Sequence, residues 1–253
     1  MAKTICVTNQ KGGVAKTTTS NAIGLGFKKK GYKVLLIDLD PQGNLSFSVK
    51  AEVDESATIY DVLKGDVSVH DAIQKTEIID IIPSNIILSG VDLEFTHTGR
   101  EFLLKEALSS VQNEYDYIVI DTPPSLNILT INAFAVADCI IIPMLADIFS
   151  LQGITQLYET ITRVKKYCNP AIKIEGILLT RYNPRLILSS EIRETAEMIA
   201  QQLGTTIFDT YIRASVSIQE VHTQQEDMYK YASRNNAVKD YMNFVKELIT
   251  RGI

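Results

Sequence analysis

Short apolar runs alternate along the chain with segments whose apolar residues recur at helical spacing. The apolar runs predict β-strands at residues 4–8, 33–38, 78–83, 117–121, 139–143, 173–180 and 206–209. The helical spacing predicts helices at residues 17–30, 100–111, 151–167, 189–203 and 237–249. This alternation predicts an α/β fold with a doubly wound, mostly parallel sheet and helices on both faces.

The composition of two strands, one helix and one loop predicts where each lies in the fold. Residues 34–37 and 117–120 are almost continuously Ile, Val and Leu, which predicts strands buried on both faces near the centre of the sheet. The apolar face of residues 237–249 suits a membrane, a partner helix or the core, and packing in the core is favoured. Residues 41–56 follow a strand and are predicted to form an irregular functional loop.

Composition favours one folded domain over residues 1–253. Hydrophobic residues make up 45% and charged residues 22% of the chain, and no repeat or linker interrupts it. No export signal precedes the first strand, and no apolar run approaches the roughly 20 residues of a membrane-spanning helix. We therefore expect a cytoplasmic protein without a membrane partner.

Charge and cysteine usage narrow the function classes. The formal net charge of −5 gives no overall attraction to nucleic acid, so DNA would have to meet a local basic patch. Cys6, Cys139 and Cys168 stand singly without metal-ligand spacing, which predicts reduced thiols packed in the core.

Residues 11–18, KGGVAKTT, lie between the first predicted strand and the first helix, as a phosphate-binding loop does. Glycines allow successive amides to point inward, and the helix N-terminus adds partial positive charge. Position assigns Lys16 to the β- and γ-phosphates, Thr17 to Mg²⁺ and Thr18 to the α-phosphate. The predicted phosphate-binding residues are Lys11, Gly12, Gly13, Val14, Ala15, Lys16, Thr17 and Thr18. The alternative is a glycine-rich turn with incidental lysine and threonine.

Acidic residues follow two buried strands. Asp38 and Asp40 occur in DLDPQGN, and Asp121 ends an apolar run before TPPS. Ligands of open α/β sheets bind at the carboxyl ends of strands, so these acids are expected to face the phosphate loop. Asp121 is predicted to hold Mg²⁺ through water. The alternatives are a strand-capping role for Asp38 and a simple turn at Asp40-Pro41.

Together these motifs resemble the ParA/MinD family of deviant Walker A P-loop ATPases, with the greatest similarity to ParA/Soj-type partitioning proteins. The resemblance implies ATP and Mg²⁺ as cofactors, and an Asp40 that orients the attacking water. It implies that Lys11 reaches the partner's phosphates in a nucleotide-sandwich homodimer. The predicted catalytic residues are Lys11, Lys16 and Asp40, and the predicted metal-binding residues are Thr17, Asp38 and Asp121.

Ala15 departs from the family pattern, which has glycine before the loop lysine. A methyl group at positive φ costs on the order of 1 kcal/mol, whereas negative φ costs almost nothing. We expect weakened nucleotide binding at most.

The base pocket and the DNA surface also rest on resemblance. Residues 179–183, LTRYN, resemble the family's adenine-side strand end, where Asn183 either hydrogen-bonds the base or forms a turn before Pro184. Arg213 and Ser215 are assigned to the same pocket.

The family's IPRNxRLxEA segment reads IRASVSIQEV at residues 212–221, so both family arginine positions are altered, to Ala214 and Ser217. The remaining basic candidates are Arg185, Arg193, Arg213, Lys230, Arg234 and Lys239, with a mixed solvated face as the alternative.

The resemblance predicts a slow ATPase that partitions DNA. ATP would drive dimerisation and non-specific DNA binding on the nucleoid, and a ParB-like partner would stimulate the hydrolysis that releases DNA. The first alternative is a MinD-like membrane-positioning ATPase, which would need an amphipathic tail beyond residues 250–253. Electron transfer, as in the nitrogenase iron protein, is the second alternative and would need paired cysteines.

Overall fold

A seven-stranded sheet forms the centre of the computed structural model, which describes residues 1–145, 154–184 and 187–253. Its strand order is β3-β4-β2-β5-β1-β6-β7. The strands are β1 Lys3–Val7, β2 Val34–Asp38, β3 Gln74–Lys75, β4 Asp80–Ile82, β5 Tyr117–Asp121, β6 Cys139–Leu145 and β7 Lys173–Thr180. Only the short β3–β4 pair is antiparallel among the described strands. The mostly parallel sheet is confirmed, as is the central place of β2 and β5.

Helices of very different lengths connect the strands. They are α1 Lys16–Lys29, α2 Asn44–Ser48, α3 Ile59–Lys64, α4 Val69–Ala72, α5 Val91–Glu94, α6 Leu103–Leu108, α7 Ile128–Val136, α8 Ile154–Tyr167, α9 Ile187–Gln202, α10 Val216–Gln224, α11 Met228–Tyr231 and α12 Asn236–Thr250. Two 3-10 turns occupy Ile86–Gly90 and Arg100–Phe102. The start of the helix predicted at residues 151–167 lies outside the described residues.

The helices cover both faces of the sheet. Successive strand residues point to opposite faces, and Leu35 and Ile118 accordingly pack in one apolar cluster with α3, α6, α7 and α8. Leu36 and Val119 pack in the second cluster with α1 and α12. The prediction of a doubly wound fold is therefore confirmed.

Helix α1 lies unusually close to its neighbours because two of its residues are glycines. A Cβ on Gly24 would lie 2.5 Å from Leu36 Cδ2, and one on Gly26 would lie 2.5 Å from Val245 Cγ2. The apolar face of α12 packs against α1, which confirms core packing for residues 237–249. Within the described part of the chain, no helix is long and apolar enough to cross a membrane.

The segment predicted as the seventh strand, residues 206–209, forms only the isolated bridge between Ile177 and Ile207. The strand prediction is wrong because the next amides bind elsewhere. The backbone N–H groups of Asp209 and Thr210 donate to the Glu247 carboxylate of α12, both at 2.9 Å. Residues 41–56, predicted as irregular, contain the short helix α2.

The three cysteines match their prediction. Cys6 and Cys139 are buried free thiols, and Cys168 is a half-buried free thiol. Burial raises the pKa of Cys6 well above its ordinary value, with the nearby Asp121 carboxylate as a smaller cause. A thiol held protonated in this way is a packing residue.

Candidate phosphate and magnesium site

The connection between β1 and α1 is shaped by the buried side chain of Asn9. Its Oδ1 accepts a hydrogen bond from the Lys11 amide at 3.0 Å, and its Nδ2 donates to the Pro143 carbonyl at 2.7 Å. Asn9 thereby ties the start of the loop to β6. Sequence reasoning missed this residue, although a polar residue two positions before Lys11 at a strand exit was an available signal.

The loop enters α1 through left-handed backbone conformations. Gly13 has φ 74° and Ala15 has φ 70° with ψ 33°. Ala15 therefore has the positive φ at which an alanine side chain costs about 1 kcal/mol or somewhat more. The Thr180 hydroxyl lies 3.1 Å from the Val14 carbonyl and supports this shape from the end of β7.

The first turn of α1 presents its amides without a side-chain cap. Ala15 occupies the N-cap position and makes no side-chain hydrogen bond. Uncapped amides and the helix dipole favour an anion at this end of a helix. This is the arrangement that the loop sequence predicts for phosphate.

Lys16 lies within the site and is only 7% exposed. Its Nζ donates to the Lys11 carbonyl at 3.2 Å. Burial lowers the pKa of Lys16, and the nearby Asp121 and Asp40 carboxylates offset part of that effect. A cation buried at a helix N-terminus is placed to bind phosphate oxygens.

Asp121, at the carboxyl end of β5, is fully buried directly behind α1. Its Oδ1 accepts from the Ser20 hydroxyl at 2.9 Å, and the Thr17 hydroxyl also donates to this carboxylate. Burial, with repulsion from Asp38 as the next cause, raises the pKa of Asp121 to about 8. Its Oδ2 is buried and has no hydrogen-bond partner within the described part of the chain.

Asp38 pairs with Asp121 in the register of β2 and β5. Its Oδ1 accepts from the Asp40 amide at 3.1 Å, and its Oδ2 accepts from the Ser46 amide and hydroxyl at 2.9 and 2.7 Å. Burial raises the pKa of Asp38 to about 6, against the lowering effect of these hydrogen bonds. Asp38 therefore organises the turn that follows β2, and its metal-shell role stays a prediction.

Asp40 is placed by that turn on the same edge of the sheet. It is 8% exposed, and its Oδ1 accepts from the Gln42 amide at 3.0 Å. Gly43 closes the turn with φ 64°, and a Cβ there would lie 3.0 Å from the Ser84 carbonyl oxygen. The Asp40 carboxylate raises the pKa of Lys16, against the lowering effect of burial.

The residues present fit a magnesium ion. The Thr17 hydroxyl and the unpaired Oδ2 of Asp121 are hard oxygen ligands, which Mg²⁺ prefers. The described residues contain no group of three or more His, Cys, Asp or Glu side chains that could hold a metal alone. Phosphate oxygens and water would have to complete the shell, as is usual for Mg²⁺ in nucleotide sites.

A separate cleft of about 540 Å³ holds two of the predicted base-pocket residues, Asn183 and Arg213. Arg213 binds Asp240 with both Nε and a terminal nitrogen, at 2.8 and 2.6 Å. Ser215 does not line this cleft; its hydroxyl accepts from Asn235 Nδ2 at 2.9 Å. Both roles of Asn183 stay open.

A buried lysine at an uncapped helix N-terminus, opposite a strand-end aspartate, defines a P-loop nucleotide-binding protein. Residues 2–174 match the AAA domain family. The chain is 38% identical over 256 residues to the sporulation initiation inhibitor protein Soj of Bacillus subtilis, covering 100% of both chains. It is 37% identical over 255 residues to the chromosome partitioning protein ParA of Caulobacter vibrioides, covering 98% of this chain and 94% of that protein. The chain therefore belongs to the ParA/MinD family of partitioning ATPases.

Solved structures agree with the fold. A crystal structure of cobyrinic acid a,c-diamide synthase from Mycobacterium smegmatis with bound ADP and magnesium superposes with a TM-score of 0.86 at 32% identity. The match covers 98% of this chain and 94% of that one. The P-loop fold and the family resemblance read from the sequence are confirmed.

The raised pKa of Asp121 predicts how stability depends on pH. Between its ordinary value of 3.8 and the folded value of about 8, the folded state binds more protons than the unfolded state. The free energy of unfolding, measured by urea denaturation without divalent cations, should therefore fall as pH rises through this interval. Asp121→Asn should flatten the decline, whereas Asp54→Asn, at an exposed acid, should leave it unchanged. A profile for Asp121→Asn as steep as that of the wild type would contradict the assignment.

Proposed function

We propose that this protein is a magnesium-dependent ATPase that partitions DNA through an ATP-dependent homodimer. The observation that carries the proposal is the buried cluster of Lys16 and Asp121 at the uncapped start of α1. The names of the relatives support chromosome partitioning as the process. The ADP and magnesium bound by the related synthase support the choice of ligands.

The phosphate loop binds the triphosphate in this proposal. Backbone amides of residues 12–18 bind the phosphate oxygens, and Lys16 turns from the Lys11 carbonyl to the β- and γ-phosphates. Thr17 and Asp121 would hold magnesium, which would supply positive charge next to the phosphates. Low exposure strengthens each of these interactions because water screens them less.

Asp40 acts on the attacking water. Its backbone is fixed by Asp38, and its carboxylate lies near Lys16 on the same edge of the sheet. A carboxylate in this position can accept a hydrogen bond from water and orient it towards the γ-phosphate. Hydrolysis by one subunit is expected to be slow until a ParB-like partner stimulates it.

Lys11 completes the site of a second subunit. It lies at the start of the loop, next to the exposed Gly12 and Gly13. A lysine at the rim of one phosphate loop can supply positive charge to a nucleotide bound across a dimer interface, as an arginine finger does. ATP bound between two copies would thereby link them.

A basic groove on the α1–α12 side is the best surface for DNA. Lys29, Lys30 and Lys239 line a groove of about 320 Å³ together with Tyr229, Ser233, Val238 and Met242. Lys230 and Arg234 are exposed on the adjoining α11–α12 segment. In contrast, Arg193 pairs with Glu197, Arg213 pairs with Asp240, and Arg185 lies outside the described residues. Phosphate binding at this groove would place the protein on the nucleoid.

The MinD-like alternative gains no support from α12. Its apolar face, including Tyr241, Phe244 and Leu248, is buried against α1 and the sheet. A helix whose apolar face is already buried offers no such face to a lipid surface.

Asp40→Ala should separate hydrolysis from binding. The water-orienting role predicts a kcat lower by about 100-fold, since general-base assistance contributes 10²–10⁴-fold, with nucleotide affinity nearly unchanged. Phosphate release and equilibrium nucleotide binding measure the two effects. Asp54→Ala, at an exposed acid, is the matched control. Normal hydrolysis by Asp40→Ala would remove Asp40 from the mechanism.

Lys11→Ala should abolish dimerisation without unfolding the protein. Wild-type protein incubated with ATP and magnesium is expected to elute from gel filtration as a dimer, and Lys11→Ala as a monomer, because the trans charge is lost. Lys105→Ala, an exposed lysine of α6, is the control. An ATP-dependent Lys11→Ala dimer would contradict this role.

Lys239→Ala should weaken DNA binding and its dependence on salt. Each lost phosphate contact lowers the magnitude of the slope of log affinity against log salt by about 0.9 for duplex DNA. Fluorescence anisotropy with random-sequence DNA at several salt concentrations measures the slope. Lys105→Ala should keep the wild-type slope, and equal slopes for wild type and Lys239→Ala would place the DNA elsewhere.

A further inference from the structure

Helix α10 brings a histidine to the phosphate loop from the far end of the chain. His222 Nε2 lies 3.1 Å from the Thr18 hydroxyl oxygen, and the two residues are 204 positions apart. Val221 beside it is buried in the apolar cluster that contains α1 and α12, which fixes α10 against the fold. None of the functional roles described above uses His222.

The end of the same helix contacts the segment that follows Asp40. Gln225 Nε2 donates to the Phe47 carbonyl of α2 at 3.0 Å. Lys50 and Glu226 form an exposed ion pair at 3.8 Å beside this contact. Helix α2 is in turn held to Asp38 through Ser46. Helix α10 and its C-terminal residue therefore contact both the phosphate loop and the segment that follows Asp40.

We propose that His222 is a positioning residue: its Nε2–H donates to the Thr18 oxygen, so that the Thr18 hydroxyl hydrogen points to a phosphate oxygen of the bound nucleotide. Through α10 and Gln225, the same contact links the filled phosphate loop to the Asp40 segment. This inference rests on the proposed ATPase function.

The chemistry of the pair supports an orienting role for His222. A hydroxyl group donates one hydrogen bond and accepts others, so a donor on its oxygen leaves its hydrogen for the ligand. Burial lowers the pKa of His222, which keeps the imidazole neutral near pH 7. A neutral ring contributes a directed hydrogen bond and no charge of its own to phosphate.

Four variants test the contact to Thr18. His222→Ala should weaken the affinity for a fluorescent, slowly hydrolysed ATP analogue by about threefold to tenfold, the range of one net hydrogen bond. His222→Gln keeps an N–H donor and should restore affinity to within about twofold. In a Thr18→Val background, His222→Ala should change affinity by less than about twofold, because their shared contact is already lost. Gln224→Ala, an exposed change on the same helix, is the control and should match wild type.

Gln225→Ala tests the link to the Asp40 segment. It should lower kcat while leaving analogue affinity within about twofold of wild type, since it breaks the contact to α2 and spares Thr18. An unchanged kcat would overturn this link.

The outcomes separate the two levels of the proposal. Failure of the wild-type protein to bind the analogue would overturn the proposed ATPase function. Wild-type binding with equal affinity in His222→Ala, or equal losses from His222→Ala in the wild-type and Thr18→Val backgrounds, would overturn the role of His222 alone. Thermal melts of every variant, followed by circular dichroism, identify any variant that is unfolded. If His222→Ala is unfolded, the affinity of the folded His222→Gln variant is the test, and a loss of more than about twofold would overturn the role of His222.

Discussion

Two aspartates that are fully buried on adjacent parallel strands impose the main constraint on this structure. Asp38 and Asp121 stand opposite each other in the register of β2 and β5, and burial raises the pKa of both carboxyl groups. Repulsion from Asp38 adds to this effect at Asp121, and repulsion from Asp40 adds to it at Asp38. Lys16 is buried beside them, and burial lowers its pKa. Buried charges are tolerated where partners and ligands compensate them. A polyphosphate with a divalent cation supplies the charges that this edge of the sheet lacks.

The surrounding fold fixes the geometry of that cluster by contacts between distant segments. Asn9 joins the phosphate loop to β6, and Thr180 supports the same loop from β7. Ser46 fixes the turn after β2 and is itself bound by the Ser84 amide. These long-range contacts hold backbone conformations that local sequence preferences disfavour, such as the left-handed conformation of Ala15. The site is therefore a property of the whole sheet edge.

Sequence patterns were sufficient where one local signal dominates. The continuous apolar runs of β2 and β5 predicted central strands, and the loop motif predicted the place of Lys16 at the start of α1. Asp121 could be placed because an apolar strand ending in aspartate, after a phosphate loop, has few other uses.

The remaining features depend on partners remote in sequence. The predicted strand at residues 206–209 fails because Glu247 takes the amides that a strand ladder would use. Helix α2 is too short for a periodic signal and depends on the bond between Asp38 and Ser46. Asn9 contacts Pro143 across 134 positions, and His222 contacts Thr18 across 204 positions. No single-sequence pattern indicates contact at such separations. The assignment of Ser215 to the base pocket stays a prediction, and its hydroxyl accepts a hydrogen bond from Asn235 Nδ2.

Isothermal titration of ATP with magnesium into wild-type protein and Lys16→Ala tests the central claim most directly. We expect saturable binding by the wild-type protein. The affinity of Lys16→Ala should be weaker by about tenfold to 100-fold, because a charge-assisted contact to phosphate is lost. Chelation of magnesium should weaken wild-type binding as well. Equal affinities of the two proteins, or no binding by folded wild-type protein, would contradict the claim that this buried cluster is a nucleotide site.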